Sequence, residues 1–304
     1  MKICGFTIIK NGEKFDYQMV ESIKSALPLV DKFMVGIGDG DDNTEEIIRK
    51  IKSDKIEIIN TIWPKKLSAG GYYLSGETNK IFDMIGPEYD WCIYLQADEV
   101  LHEEDYPVML EAMKKYKDNK DVEGFIFNWK HFWGNYKYLA YGRQWYRRDV
   151  RIIRNDKSIR SWRGAQGFRK TNGEKPVCVP IDAHVYHYGW VRHPKYMQKK
   201  VQHCNWNQEF WTAENMEELD FDYNRDYDCV LNYTGTHPNL MEKRIKEHSW
   251  EVSIDPKVRK YSSKKDSLLM WFERLTGHRL AENQHFHIYG KGKRLTNLWD
   301  KTIF

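Results

Sequence analysis

Over its first hundred residues the chain alternates short apolar runs with segments whose apolar residues recur at helical spacing, and that rhythm leaves few folds open. Residues 2–9 run almost wholly apolar to a break at Asn11-Gly12 and predict a strand. Met19, Val20, Ile23 and Leu27 then share one helical face, which Pro28 helps to close. A second strand is expected over residues 32–38, ending in Asp39-Gly40-Asp41-Asp42-Asn43-Thr44, with Asn43 and Glu46 spaced to cap the next helix. Residues 55–62 read as a third strand and 77–85 as a third helix. A strand–helix repeat of this kind argues for a parallel sheet with helices on both faces.

The repeat culminates in Asp90-Trp91-Cys92-Ile93-Tyr94-Leu95-Gln96-Ala97-Asp98-Glu99-Val100. Its apolar run suits a strand buried on both faces, and it stops on two adjacent carboxylates. Ligands in open α/β sheets gather outside the carboxyl ends of the strands. Asp39, Asp41 and Asp42 should share that edge with Asp98 and Glu99, although Asp-Gly-Asp-Asp is also ordinary turn chemistry.

Beyond residue 101 the alternation weakens. A helix is expected over 104–117 and strands over 124–129, 150–154 and 177–188, followed by helical segments over 196–211, 238–250 and 267–275. This divides the chain into an α/β domain over 1–190, the part in which any catalytic strand-end residues would fall, and a mainly helical extension over 191–304. Gly235-Thr236-His237-Pro238 reads as a helix start. With 304 residues the chain can bury a sizeable core. A net charge of +4 gives no field of the kind that binds nucleic acid. Five cysteines without a CxxC pair point to reduced thiols, hence a cytoplasmic protein. The first residues are too short an apolar run for a signal segment. Peripheral contact with the inner face of a membrane stays compatible with the sequence.

The two acidic strand ends carry a resemblance. Asp39-Gly40-Asp41-Asp42-Asn43-Thr44 resembles the second-strand signature of family 2 glycosyltransferases of the GT-A fold, and Gln96-Ala97-Asp98-Glu99 is similar to their acidic metal-binding motif. The match spans about residues 1–100 well and 101–190 loosely. It implies a three-layer α/β/α sandwich with a mixed, mostly parallel sheet, and a sugar moved from a nucleotide-diphosphate donor to a glycan or lipid-linked acceptor. It further implies that Asp39 meets the nucleobase, with Asp41, Asn79 and Arg163 also on the donor side. Asp98 would bind Mn²⁺ or Mg²⁺, with His187 as a second ligand and His184 as its alternative. A hard cation with oxygen ligands neutralises the charge that develops on a departing diphosphate.

Two departures stand out. Gln96 replaces the usual first Asp. Where relatives carry Trp-Arg-Gly followed by His-Glu, this chain has Trp162-Arg163-Gly164-Ala165-Gln166-Gly167, without the carboxylate that could act as base. Glu99, Asp149 and Asp182 are the remaining candidates for an inverting transfer, and a retaining transfer needs none. Arg143, Arg147, Arg148, Arg151, Arg154, Arg160, Arg163 and Arg169 form a dense cationic segment from which one or two could grip phosphate. Trp129, His131, Phe132, Trp133 and Trp162 could form an acceptor platform. Two other readings are an inactive carbohydrate-binding GT-A scaffold and a sugar-nucleotide nucleotidyltransferase. The latter wants a basic, Gly-rich phosphate loop after the first strand, and Phe6 to Gly12 supplies none.

Overall fold

Apolar runs and amphipathic segments fold where their spacing predicts, as a computed structural model describing residues 1–64, 71–203, 221–282 and 284–290 shows. The opening repeat becomes β1 (Ile3–Ile9), α1 (Met19–Ala26), β2 (Lys32–Gly38), α2 (Thr44–Arg49), β3 (Ile56–Thr61), α3 (Tyr72–Met84) and β4 (Trp91–Tyr94). After a turn follow β5 (Glu99–Leu101), α4 (Tyr106–Lys115), β6 (Gly124–Trp133), β7 (Tyr138–Ala140), β8 (Arg148–Arg154), β9 (Ile159–Trp162), β10 (Gly167–Lys170) and β11 (Val177–Trp190). The remainder carries α5 (Pro194–His203), β12 (Val230–Asn232), α6 (Glu242–Lys246), α7 (Lys264–Thr276) and β13 (His287–Ile288).

The main sheet runs β12-β7-β6-β8-β4-β1-β2-β3, with β11 beside β6, β5 and β13. Strands β3, β2, β1 and β4 pair in parallel, β8 inserts antiparallel between β4 and β6, and β11 runs parallel to β6. Side chains alternate across it. Phe33, Val35, Trp91, Ile93 and Phe125 pack with α1, α2 and α4 on one face. Cys4, Phe6, Met34, Cys92 and Tyr94 meet α3, Phe168 of the β9–β10 hairpin and Phe286 on the other. This is the mixed, mostly parallel α/β sandwich that the resemblance implied, its parallel half being the part that the alternation predicts.

Three local expectations need correction. The Asn43 side chain makes no cap bond to α2. Asp42 takes that place, accepting from the Thr44 backbone N–H at 3.1 Å and its hydroxyl at 2.6 Å. The apolar strand expected to run up to Asp98 already ends at Tyr94, because the turn at Gln96 reverses the chain into β5, which begins at Glu99. Beyond residue 190 the chain is not only helical. It returns β12 and β13 to the sheet, and the segment from Pro238 is a 3₁₀ turn before α6. Residues 204–211 of the expected helix, with Cys204, lie outside the described residues. Cys4, Cys92, Cys178 and Cys229 are buried and unbridged. Among the described residues no helix is long and apolar enough to cross a membrane.

His237 pins the C-terminal chain to the sheet within an aromatic cluster of Phe132, Tyr136 and Tyr188. Its Nε2 lies 3.0 Å from the Tyr136 carbonyl, which only accepts, so that nitrogen carries the proton and Nδ1 accepts from the Tyr188 hydroxyl at 2.8 Å. Burial pushes its pKa down to about 4. The unfolded imidazole takes its proton near pH 6.5, so the unfolded state binds protons first. The stability tied to neutral His237 is complete above about pH 6.5 and drains away as pH falls toward about 4. Urea melts across this range should show a shallower pH dependence for His237→Gln than for the parent chain. Parallel curves would remove His237 as the cause.

Candidate functional site

In a parallel sheet the carboxyl ends of neighbouring strands meet at one edge, and here β2 and β4 flank β1 and deliver Asp39 and Asp98 to it. After β4 the chain turns through a Glu99 N–H bond to the Gln96 carbonyl at 3.0 Å. β11 closes on this turn from the other side, with His187 opposite Glu99 and the Tyr188 N–H on the Asp98 carbonyl at 2.8 Å. Asp98 is thereby buried at the mouth of the sheet. Lys200 Nζ stands 3.4 Å and Arg192 Nη2 4.0 Å from Asp98 Oδ2, and His187 Nε2 stands 3.9 Å from Oδ1. Gly189 leaves room for both side chains, since a Cβ there would come within 2.7 Å of Asp98 Oδ2 and 2.5 Å of His187 Nε2 and one of them would have to move. Burial alone would raise the Asp98 carboxyl; Lys200, His187 and Arg192 outweigh it and hold its pKa below the ordinary value. One carboxylate thus sits between two buried cations.

The proton positions on His187 follow from its neighbours. His131 Nε2 lies 2.8 Å from the Tyr146 carbonyl and must donate to it. Burial drives the His131 pKa well down, so the ring is neutral and its Nδ1 carries a lone pair. That lone pair accepts from His187 Nδ1 at 2.9 Å. Burial also lowers the His187 pKa, which leaves Nε2 bare and turned toward Asp98. Two lone-pair atoms facing each other with no proton between them suit a divalent cation, taking carboxylate oxygen and neutral imidazole as ligands. The His131 contact is the kind of outer partner that fixes a ligating tautomer. Among the described residues no three His, Cys, Asp or Glu side chains gather as a complete metal cluster, so further ligands would come from a bound diphosphate or water.

Glu99 is not available as a base. It is fully buried and grips Arg151 through two bonds of 2.7 Å. Burial opposes the guanidinium charge, and Glu99 overcomes that and holds the Arg151 pKa above its ordinary value. Arg151 stacks over Trp129 at 4.5 Å and donates to the Gln166 carbonyl at 2.8 Å. Gln96 points at the same loop, its Nε2 donating to Ala165 O at 3.1 Å. Beside that loop Asp149, fully buried, meets His285 Nδ1 at 2.8 Å. A Cβ on Gly167 would lie 2.8 Å from His285 Nδ1 and 2.9 Å from Asp149 Oδ1, so the pair fills the space that a side chain at 167 would take.

The other expected site residues divide. Asp39 is half-exposed, and its Oδ1 accepts from Lys10 Nζ and the Trp63 N–H, both at 2.9 Å. The first of these bonds leads in holding its pKa at about 2. Asp41 is exposed and paired with Lys14. Asn79 is committed to the backbone of Ser161, through Oδ1 at 2.8 Å and Nδ2 at 3.3 Å, which removes it from the donor side. Asp182 lies five residues before His187, about 16 Å along an extended strand, and is out of reach. His184 turns to Asp105. The arginine segment is mostly architectural: Arg147 pairs with Glu282, Arg154 with backbone carbonyls and Arg160 with Asp83. Exposed Arg163 makes no ion pair or hydrogen bond among the described residues. Of the expected aromatic platform only Trp162 is exposed; Trp129, His131, Phe132 and Trp133 are core. A separate cavity of about 520 Å³ behind His131 is walled by Trp145, Tyr146 and Arg279.

Sequence reasoning missed Lys200 and His285, whose spacing carries no signal, and quoted Arg192 and His131 without giving them these roles.

No family model matches the chain. No curated protein matches its sequence. Similar solved structures include two of TarS from S. aureus, at 10% identity and TM-score 0.36 over 66% of this chain, and at 11% and 0.35 over 66%. The chain spans 38% and 64% of their lengths. Another is the glucosyl-3-phosphoglycerate synthase of Mycobacterium tuberculosis in complex with Mn²⁺, UDP and phosphoglyceric acid, at 16% identity and TM-score 0.28 over 43% of each chain. At these scores the likeness assigns neither a family nor a reaction.

The Glu99–Arg151 pair yields a direct test. Glu99→Ala leaves a buried guanidinium without its counter-charge and should cost about 3–5 kcal/mol in urea unfolding. A loss under about 1 kcal/mol, the level of an exposed pair, would show that the pair is not what braces the site.

Proposed function

We propose that the chain is a glycosyltransferase that takes a sugar from a nucleotide-diphosphate donor and passes it to a glycan or lipid-linked acceptor hydroxyl with inversion. The observation that carries the reading is the bare His187 Nε2 facing Asp98 at the carboxyl edge of the sheet, with Lys200 and Arg192 alongside. In this reading residues 1–190 form the catalytic domain. Asp98 and His187 hold Mn²⁺ or Mg²⁺, which would neutralise the departing diphosphate. Lys200 and Arg192 add fixed positive charge for the same phosphates. Asp39 keeps Oδ2 for a nucleobase N–H, since both of its protein partners use Oδ1. Arg163, exposed and without a partner among the described residues, is the remaining phosphate contact.

His285 is the proposed base, replacing Glu99. With Asp149 accepting the Nδ1 proton at 2.8 Å, Nε2 is the nitrogen that would take the acceptor's hydroxyl proton as the sugar–phosphate bond breaks. The pair fills the space beside Gly167, next to the loop held by Gln96 and Arg151.

Two measurements test the reading. Electron paramagnetic resonance of bound Mn²⁺ should show binding lost in His187→Ala. In His131→Phe, which frees the His187 tautomer, affinity should fall roughly 10–100-fold; unchanged affinity in both would refute the ligand assignment. Turnover of UDP-, GDP-, CMP- and dTDP-sugars should reveal one accepted donor. Activity should vanish in Asp98→Ala and drop roughly 10²–10⁴-fold in His285→Ala. Sugar binding without turnover of any donor would favour the inactive scaffold, and pyrophosphate release from a nucleoside triphosphate would favour the nucleotidyltransferase.

A further inference from the structure

Helix α7 has a sequence, Lys264 to Thr276, that does not match a purely buried role. Its inner face supplies Met270 to the core and Glu273 to a buried bond with Arg279 at 2.8 Å. Its outer face carries Leu268, Trp271 and Leu275, which are 65%, 59% and 69% exposed. These positions are three and four residues apart, so the side chains line up as one ridge along the helix. Scattered exposed apolar residues need no explanation, whereas three large ones aligned on one helix face do. In the segment leading into the helix, Val258 and Tyr261 are exposed as well, at 46% and 36%.

The charge around the ridge bears on what it could meet. Between residues 257 and 275 stand six basic residues, Lys257, Arg259, Lys260, Lys264, Lys265 and Arg274, against two acidic ones, Asp266 and Glu273. Glu273 is turned inward onto Arg279, and Asp266 is taken up by Ser262 and Ser263 at the helix start. Lys264 lies on the same stripe as Leu268, Trp271 and Leu275, one turn further toward the N-terminus. An apolar ridge with a Trp in its middle and lysines at one end has the composition of a helix that lies in the plane of a bilayer interface. Basic residues beside such a ridge are drawn to anionic headgroups. A protein partner would need an acidic, apolar surface of matching shape; a bilayer with anionic lipid supplies both properties without one.

We propose that the outer face of α7 docks the protein on an anionic lipid surface, with Leu268, Trp271 and Leu275 entering the headgroup boundary and Lys264 and Lys265 meeting lipid phosphates. The helix is too short to span a bilayer, since 13 residues make about 20 Å, so the attachment is peripheral and reversible. The inference does not depend on the glycosyltransferase reading, because it is read by binding rather than turnover.

Co-sedimentation of the full chain with phosphatidylcholine vesicles, with and without phosphatidylglycerol, tests it. The parent chain should bind the anionic vesicles, and added salt should weaken the binding. Leu268→Ser, Trp271→Ser and Leu275→Ser combined should weaken it roughly tenfold or more. Lys264→Glu with Lys265→Glu should abolish the preference for anionic lipid. All five positions are solvent-facing, and circular dichroism and thermal melts should confirm an unchanged fold. No binding by the parent chain would overturn the proposal, as would equal binding by the triple-serine chain. So would a parent chain that forms dimers which the serine changes dissociate, since the ridge would then be covered by a second copy.

Discussion

Everything at the carboxyl edge of the sheet leans on one buried ion pair. Glu99 and Arg151 come from different strands and face each other where water cannot screen them, so their geometry must be tight for the desolvation to be offset. The guanidinium meets this condition with four hydrogen bonds: two to Glu99, one to the Val150 carbonyl and one to the Gln166 carbonyl. A lysine could not do so, having neither the planar fork nor the reach to stack on Trp129 at the same time. The pair therefore fixes three things together: the turn that presents Asp98, the strand that bears Asp149, and the loop from Trp162 to Gly167.

Above this brace the electrostatics change character. Around Asp98 the protein spends one carboxylate against two cations, and around His187 it spends a second histidine to dictate a tautomer. Neither arrangement improves packing, and each buries polar groups that a purely structural core would avoid. Buried groups held in specific protonation states cluster at functional sites as well as in structural ion-pair networks, and this is what supports the proposed role of this edge. The cysteines show the contrast. Cys4 and Cys92 are buried in apolar surroundings that raise their thiol pKa values, and the nearby Lys32 and Lys157 charges do not offset that burial.

The sheet was readable because its signals are local. Apolar runs of strand length between amphipathic segments announce β1 to β4 and the helices between them, and the acidic residues after β2 and β4 fall on the expected edge. His187 was singled out by resemblance rather than by pattern, and the three-residue spacing served only to put His184 on the other face of the strand. Roles that depend on long-range partners were not. Glu99 beside Asp98 looks like a second catalytic carboxylate until Arg151, 52 residues away, is seen to hold it. Asn79 looks like a donor contact until Ser161, 82 residues on, takes both ends of its amide. Gln96 reads in the sequence as a lost metal ligand. In the fold it is a strut, and an Asp in its place would be too short to reach Ala165 and would set a charge against Glu99 and a carbonyl oxygen. Lys200 and His285 arrive from segments whose patterns say nothing about where their tips end.

The loop from Trp162 to Gly167 carries a further implication. Arg163 and Ala165 have φ values of 51° and 57°, left-handed conformations that L residues avoid, on either side of Gly164. Each such residue costs on the order of 1–3 kcal/mol and persists only where its surroundings impose it. Here the Gln96 amide and the Arg151 guanidinium impose it, each through one bond to a loop carbonyl. The loop is thus a cocked segment held by two latches rather than a relaxed one. Were a bound molecule to take either latch for itself, the stored strain would help carry exposed Arg163 to a new position, so that occupancy of the cleft and the posture of its rim become one equilibrium.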